Sequence, residues 1–257
     1  MGRHKMVFGT CRLCGEKTQL SFEHVPPRVA FNKQTKYKSV DFKEFIKEDN
    51  PLENPPKGKE KQGGIGYNSF CKSCNSFLGS KYVPLYQRWF KAGMEILENV
   101  EFKKHSYRIN DINPDKILKQ IVSMFLAIND ERYLKAYPEL SKFVKDVESK
   151  DLPEKFRIYC YLSRAENIRY MNHVVKGSFR SGDPINCSEI SFPPYGYVLT
   201  IDNNMDIPYL TNITSFKNFT ETISLNMNMF QLPTYMPFPL DYRTKKEIEE
   251  EIRKNSI

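Results

Sequence analysis

At 257 residues, with 40% hydrophobic and 13% aromatic side chains, the chain is long enough to bury a sizeable core. It holds no run of 18 apolar residues, which excludes a helical membrane span. The formal net charge is +8 and uneven: residues 1–90 hold 16 Lys and Arg against 8 Asp and Glu, whereas residues 91–257 hold 23 of each. Positive charge gathered on one segment suits a polyanion-binding surface, through phosphate contacts and counterion release.

The opening MGRHKMVFGT lacks the apolar stretch of a secretory leader. Of six cysteines, four fall in two Cys-x-x-Cys pairs, Cys11/Cys14 and Cys71/Cys74, and Cys160 and Cys187 stand alone. That usage predicts a reducing, cytoplasmic setting rather than a disulfide framework. The paired spacing lets two sulfurs reach one ion from a tight turn, so the four thiolates predict a tetrahedral Zn²⁺ site. Such a site has no open position and is structural: the metal supplies folding free energy to a segment poor in core.

Gln19 to Val25 reads as a short strand that Pro26-Pro27 ends, placing His24 at its close. Residues 32–66 form a polar insertion. Val40 to Ile46 reads as a helical turn, and Asn50 to Gly66, with its prolines, Lys57, Lys59, Lys61 and terminal glycines, as a mobile basic loop. Tyr67 to Phe70 is a second strand leading into the second cysteine pair, and Asn75 begins the helix behind it. Apolar spacing then predicts a helix from Tyr82 to Asn99. A central core helix follows from Pro114 to Asn129, with Asn113 as cap, and a third helix between Glu131 and Glu148. The period changes after that. Phe156 to Leu162, Tyr195 to Ile201 and Ile223 to Phe230 read as strands, and residues 241–254 as a charged terminal helix. His105 and His173 lack ligand-spaced companions and read as surface or core histidines. Tyr159, Tyr161, Tyr195 and Tyr197 read as core.

The chemistry concentrates at Glu23, His24 and Asn75. A neutral His24 imidazole is suited to take a proton from water that attacks phosphorus. Glu23 and Asn75 offer hard oxygen ligands for Mg²⁺ or Mn²⁺. Neighbours along a strand point to opposite faces, so Glu23 and His24 share a site only if the chain bends at the prolines. Arg28, just beyond them, is placed to grip a phosphate.

The run CRLCG … FEHVPP … FCKSCNSFLG, over about residues 8–80, resembles the HNH endonucleases of the His-Me finger (ββα-metal) superfamily, in the zinc-stabilised branch with two CxxC knuckles. The resemblance implies His24 as general base, Glu23 and Asn75 as ligands of a divalent ion, and Asn68 as the middle Asn on the second strand. Glu23 stands where the family more often has Asp, and Leu78-Gly79 where many members carry a Lys. Family context associates such modules with restriction, phage defence and mobile elements.

The expected architecture is therefore α+β: a small zinc-stabilised ββα-metal module at residues 1–81, with a basic loop at about 50–66, then a larger helical and strand-rich body at 82–257. The expected function is metal-dependent hydrolysis of phosphodiester bonds in DNA. The body is left to grip DNA, to form a homodimer or to receive an activating partner. The alternatives are a zinc-dependent nucleic-acid-binding protein without catalysis, and an activity lying in the C-terminal body.

Overall fold

The computed structural model describes residues 6–49, 51, 54–99, 106–177, 184–203 and 206–255. His105 lies outside them. Strands β1 (Val7–Thr10) and β2 (Lys17–His24) form an antiparallel hairpin across the first cysteine turn. The insertion after β2 carries a 3-10 turn, Asn32–Gln34, and a small hairpin of β3 (Tyr37–Ser39) and β4 (Lys59–Lys61). A single helical turn, α1 (Phe42–Phe45), lies between those two strands and is capped by Asp41. The predicted helical turn is thus present. The stretch expected to be an irregular loop instead contains β4, whose residues pair in register, Tyr37 with Lys61 and Ser39 with Lys59. Strands of three residues are too short for alternation to reveal.

Strand β5 (Gly66–Cys71) pairs with β2, giving the order β1-β2-β5, and runs directly into α2 (Lys72–Lys81). These are the strand–strand–helix elements expected around the cysteines. Next comes α3 (Val83–Asn99), with Pro84 in its first turn. Trp89 of this helix stacks on Tyr195 at 4.5 Å between centroids, and its indole N–H donates to the Tyr197 hydroxyl at 2.8 Å. Gly93 permits that approach, because a Cβ there would sit 2.5 Å from the Tyr195 ring.

After β6 (Ser106–Ile112), helix α4 (Pro114–Ile128) begins at an Asn113 side chain that accepts the Lys116 amide at 3.1 Å. Every residue of α4 except Lys116 is buried, as its all-round apolar pattern predicts. Its one fully buried ammonium, Lys119, is satisfied by the carbonyls of Asp146, Val147 and Ser149 at 2.7–2.8 Å. The predicted third helix is two, α5 (Glu131–Ala136) and α6 (Pro138–Lys145). Pro138 removes an amide and bars Tyr137 from helical geometry, so the chain turns there.

The C-terminal sheet comprises β7 (Phe156–Arg164), β8 (Arg169–Gly177), β9 (Pro184–Phe192), β10 (Tyr195–Ile201) and β11 (Thr211–Asn212), in the order β11-β7-β10-β9-β8. Strand β12 (Ile223–Asn228) pairs with β6, and β13 (Gln231–Pro233) runs parallel to β7. The chain closes on α7 (Lys245–Asn255). Strands β8 and β9 escaped the sequence reading because their buried faces carry charge. Arg169 pairs with Glu189 at 2.7 Å, and the hydroxyls of Tyr161 and Tyr242 donate to the same carboxylate oxygen at 2.8 and 3.1 Å.

The fold is α+β throughout. Leu13, Phe70 and Leu78 beside the cysteines share one continuous buried cluster with Ile117, Phe125 and Tyr195. Each such side chain contributes about 1.5–3 kcal/mol on burial, so the N-terminal elements are anchored to the body by core packing. No helix among the described residues is long and apolar enough to cross a membrane.

Candidate metal centre and candidate active site

Cys11 opens the turn after β1, where its carbonyl accepts the Gly15 amide at 2.8 Å and its own amide donates to Glu16 at 2.8 Å. Gly15 takes the left-handed φ of +82° that closes this turn. Cys71 ends β5 and caps α2, its sulfur accepting the Cys74 amide at 3.5 Å. The Cys71 amide donates to the Cys11 sulfur at 3.3 Å, which locks the two knuckles together. All four sulfurs lie within 4.8 Å of one another, and Cys14 and Cys71 are 4.0 Å apart. The sulfur–sulfur edges of a zinc tetrahedron are about 3.8 Å, from a Zn–S bond of about 2.3 Å, so the residues form a metal-binding cluster compatible with zinc. Against the burial that would raise it, hydrogen bonds from Ser73 and the Cys74 amide bring the Cys71 thiol down to about 6. Burial pushes Cys14 and Cys74 up. Cys160 and Cys187 are buried and far from the cluster in sequence.

Glu23 pairs with Tyr67 across β2 and β5, and His24 with Gly66. Cross-strand partners share a face, so Glu23 and His24 leave β2 on opposite faces. Ser21 shares the Glu23 face, and its hydroxyl accepts from Asn75 Nδ2 at 3.0 Å. The same Nδ2 reaches the Phe22 carbonyl at 3.4 Å. Glu23 and Asn75 are thus gathered on the α2 side of the hairpin. Asn75 Oδ1, the atom a hard cation takes, makes no hydrogen bond among the described residues. Glu23 is 7% exposed, has no hydrogen-bond or ion-pair partner among them, and is pushed by burial up to about 8. A carboxylate in that position is either protonated or neutralised by a cation. Among the described residues, the cysteine cluster is the one group of three or more His, Cys, Asp or Glu side chains that could hold a metal ion.

On the other face, His24 Nε2 lies 3.0 Å from the Gly63 carbonyl. A carbonyl only accepts, so Nε2 carries the hydrogen and the neutral ring keeps its lone pair on Nδ1. Burial, and then the charge of Arg28, lower the His24 pKa, against the Gly63 contact that raises it. The Phe22 ring meets the imidazole edge to face at 4.9 Å. Gly64 has φ +90°, and a Cβ there would fall 2.0 Å from the Asn32 carbonyl oxygen and 2.9 Å from His24 Cδ2. Asn32 itself is fully buried: Nδ2 donates to Pro26 O and Ile65 O, and Oδ1 accepts the Ile65 amide, each at 2.8 Å. One amide thus ties the loop after His24 to the segment that presents Gly63.

Arg28 is exposed on the turn beyond the prolines. Asn68, the residue matched to the middle Asn, is exposed opposite Phe22 and makes no hydrogen bond among the described residues. Two further supports come from the body. The Tyr170 hydroxyl donates to the Val25 carbonyl at 2.6 Å, and the Arg12 guanidinium donates to the Ala127 carbonyl at the end of α4. Asn32 and Tyr170 carry no motif, and only the glycine pair at 63–64 marked this loop in the sequence. Comparison of the chain with protein-family models, with curated proteins and with solved structures finds no match.

Proposed function

We propose that this chain is a metal-dependent endonuclease of the HNH type that hydrolyses phosphodiester bonds in DNA. Its hairpin and helix are held by a structural Zn²⁺ on Cys11, Cys14, Cys71 and Cys74. The observation that carries the reading is the end of β2: on one face a buried Glu23 carboxylate with no hydrogen-bond or ion-pair partner among the described residues, and on the other the His24 imidazole, whose Nε2–H is already engaged. With Nε2 held by Gly63, His24 Nδ1 takes the proton from the attacking water. Glu23 and Asn75 Oδ1 would hold a Mg²⁺ or Mn²⁺ ion, which would supply positive charge to the transition state and the departing 3′ oxygen. Arg28 binds a phosphate oxygen beside His24. The lowered His24 pKa keeps the base neutral at physiological pH. Four metal-spaced cysteines and two buried ones suit a reducing compartment.

The test pairs two readouts on the zinc-loaded protein: cleavage of an end-labelled DNA and Mn²⁺ binding by paramagnetic resonance. Glu23→Gln is expected to lose both. His24→Ala is expected to lose cleavage and keep Mn²⁺. Wild-type protein that binds DNA but neither cuts it nor takes Mn²⁺ supports the non-catalytic alternative.

A further inference from the structure

The inserted β3–α1–β4 hairpin holds six lysines and six acidic residues over 37–61, but it gathers four of the lysines in one place. Lys59 and Lys61 lie on β4, on the side of the hairpin that carries Ser39 and Tyr37, because directly opposed residues share a face. Lys43 and Lys47 come from α1 and the turn after it. All four line one groove of about 430 Å³, together with Ser39, Asp41 and Glu44. The Asp41 carboxylate accepts the Lys43 backbone amide at 2.8 Å, as a helix cap. None of the four ammonium groups has a carboxylate partner among the described residues.

This groove does not end at the hairpin. Lys43, Lys61, Ser39 and Asp41 also line a second cleft of about 770 Å³, which adds Lys38 and runs along Ile65, Gly66 and Tyr67 to strand β8. Gly66 is the cross-strand partner of His24, and Tyr67 that of Glu23. Lys43 and Lys61 therefore join the lysine groove to a cleft that runs along β5, the partner strand of β2, beside the candidate active site but not lined by His24 or Glu23. They are also joined to that site covalently, because Lys61 stands two residues before Gly63, whose carbonyl holds His24.

We infer that this hairpin is a phosphate clamp: Lys43, Lys47, Lys59 and Lys61 hold the sugar-phosphate backbone of a nucleic acid whose strand continues along the cleft beside β5. The inference rests on the nuclease reading for the identity of the strand, and on charge and cleft continuity for its path. Unpaired ammonium groups along a continuous channel suit a repeating line of phosphates rather than one compact anion.

The test measures affinity for a duplex and for a single-stranded oligonucleotide across a salt series, without divalent ion. Wild type is compared with Lys43→Gln/Lys47→Gln, Lys59→Gln/Lys61→Gln and the fourfold variant. All four positions are on the surface, and bound zinc and circular dichroism check that each variant folds. Each lost phosphate contact lowers the slope of log K against log salt by about 0.9 on a duplex and about 0.7 on a single strand. The fourfold variant should therefore lose about 3.6 or 2.8 in slope, and the doubles about half. Unchanged slopes and affinities overturn the clamp even if the wild type cuts. Lost slope in a protein that never cuts supports the clamp and removes the nuclease. Loss of binding to phosphatidylserine vesicles with nucleic-acid binding intact overturns it in favour of a lipid surface.

Discussion

The Tyr170 hydroxyl donates to the carbonyl of Val25 at 2.6 Å, so the edge strand of the C-terminal sheet grips the residue that follows His24. Val25 is fully buried, and the Tyr170 ring also meets Tyr67 edge to face at 6.4 Å. The body is thereby part of the positioning of the strand that carries His24. Tyr170→Phe keeps the ring and leaves the carbonyl without its donor, at a cost of about 1–3 kcal/mol. Chemical denaturation should report that loss. Bound zinc should be unchanged, and the single-turnover rate should fall several-fold with DNA affinity retained.

The Asn32 amide makes the second tie, and it saturates three buried backbone groups. Asn32→Ala should destabilise by about 3 kcal/mol, since several buried polar atoms lose their partner at once. Asn32→Asp should do comparable damage, because a carboxylate cannot donate to Pro26 O or Ile65 O. Gly64→Ala tests the same loop from the other side, where both the positive φ and the Asn32 carbonyl exclude a Cβ. Equilibrium unfolding of the three variants decides: wild-type stability in all of them would refute the latch.

The cysteine spacing, the strand ended by Pro26-Pro27, and the capped helix at Asn113-Pro114 were legible because each is a local signal with its own chemistry. Strands β8 and β9 were not, since Arg169 and Glu189 find their partners only in the folded sheet. The break at Tyr137 was signalled by Pro138, but the charged pattern on both sides reads as one helix. At the site, Glu23, His24 and Asn75 stand out by residue type. Their division between two faces of β2 is a matter of strand register. Asn32 is invisible in the sequence because its three partners are backbone atoms, which carry no sequence signature.

Removing the metal should unfold the hairpin and α2 rather than simply inactivate them. Four sulfurs within 4.8 Å of one another bring the two knuckles together, and structural zinc provides folding free energy directly. Elemental analysis should find one zinc per chain. A strong chelator, or Cys74→Ser, should lower the melting temperature by well over 10 °C, which corresponds to several kcal/mol at this chain length. An unchanged melting curve in the zinc-free protein would contradict a structural role.

His173 gives a pH signature remote from the cysteines. Its ring sits 5.5 and 5.7 Å from those of Tyr133 and Tyr137, and its Nδ1 is buried without a partner. Burial lowers its pKa from the usual 6.5. The unfolded chain therefore binds the proton more readily than the folded one. The stability that the neutral ring provides is complete above about pH 6.5 and is lost as pH falls toward the folded-state value. Melting curves between pH 7.5 and 5 should show the wild type losing more stability than His173→Phe, and parallel curves would remove this assignment.

The most direct test of the nuclease reading is cleavage of a supercoiled plasmid with Mg²⁺ or Mn²⁺, by zinc-loaded wild type and by His24→Ala of equal zinc content. The account predicts nicked or linear product from the wild type and none from the variant. Equal cutting by both would place the chemistry elsewhere and contradict His24 as the base.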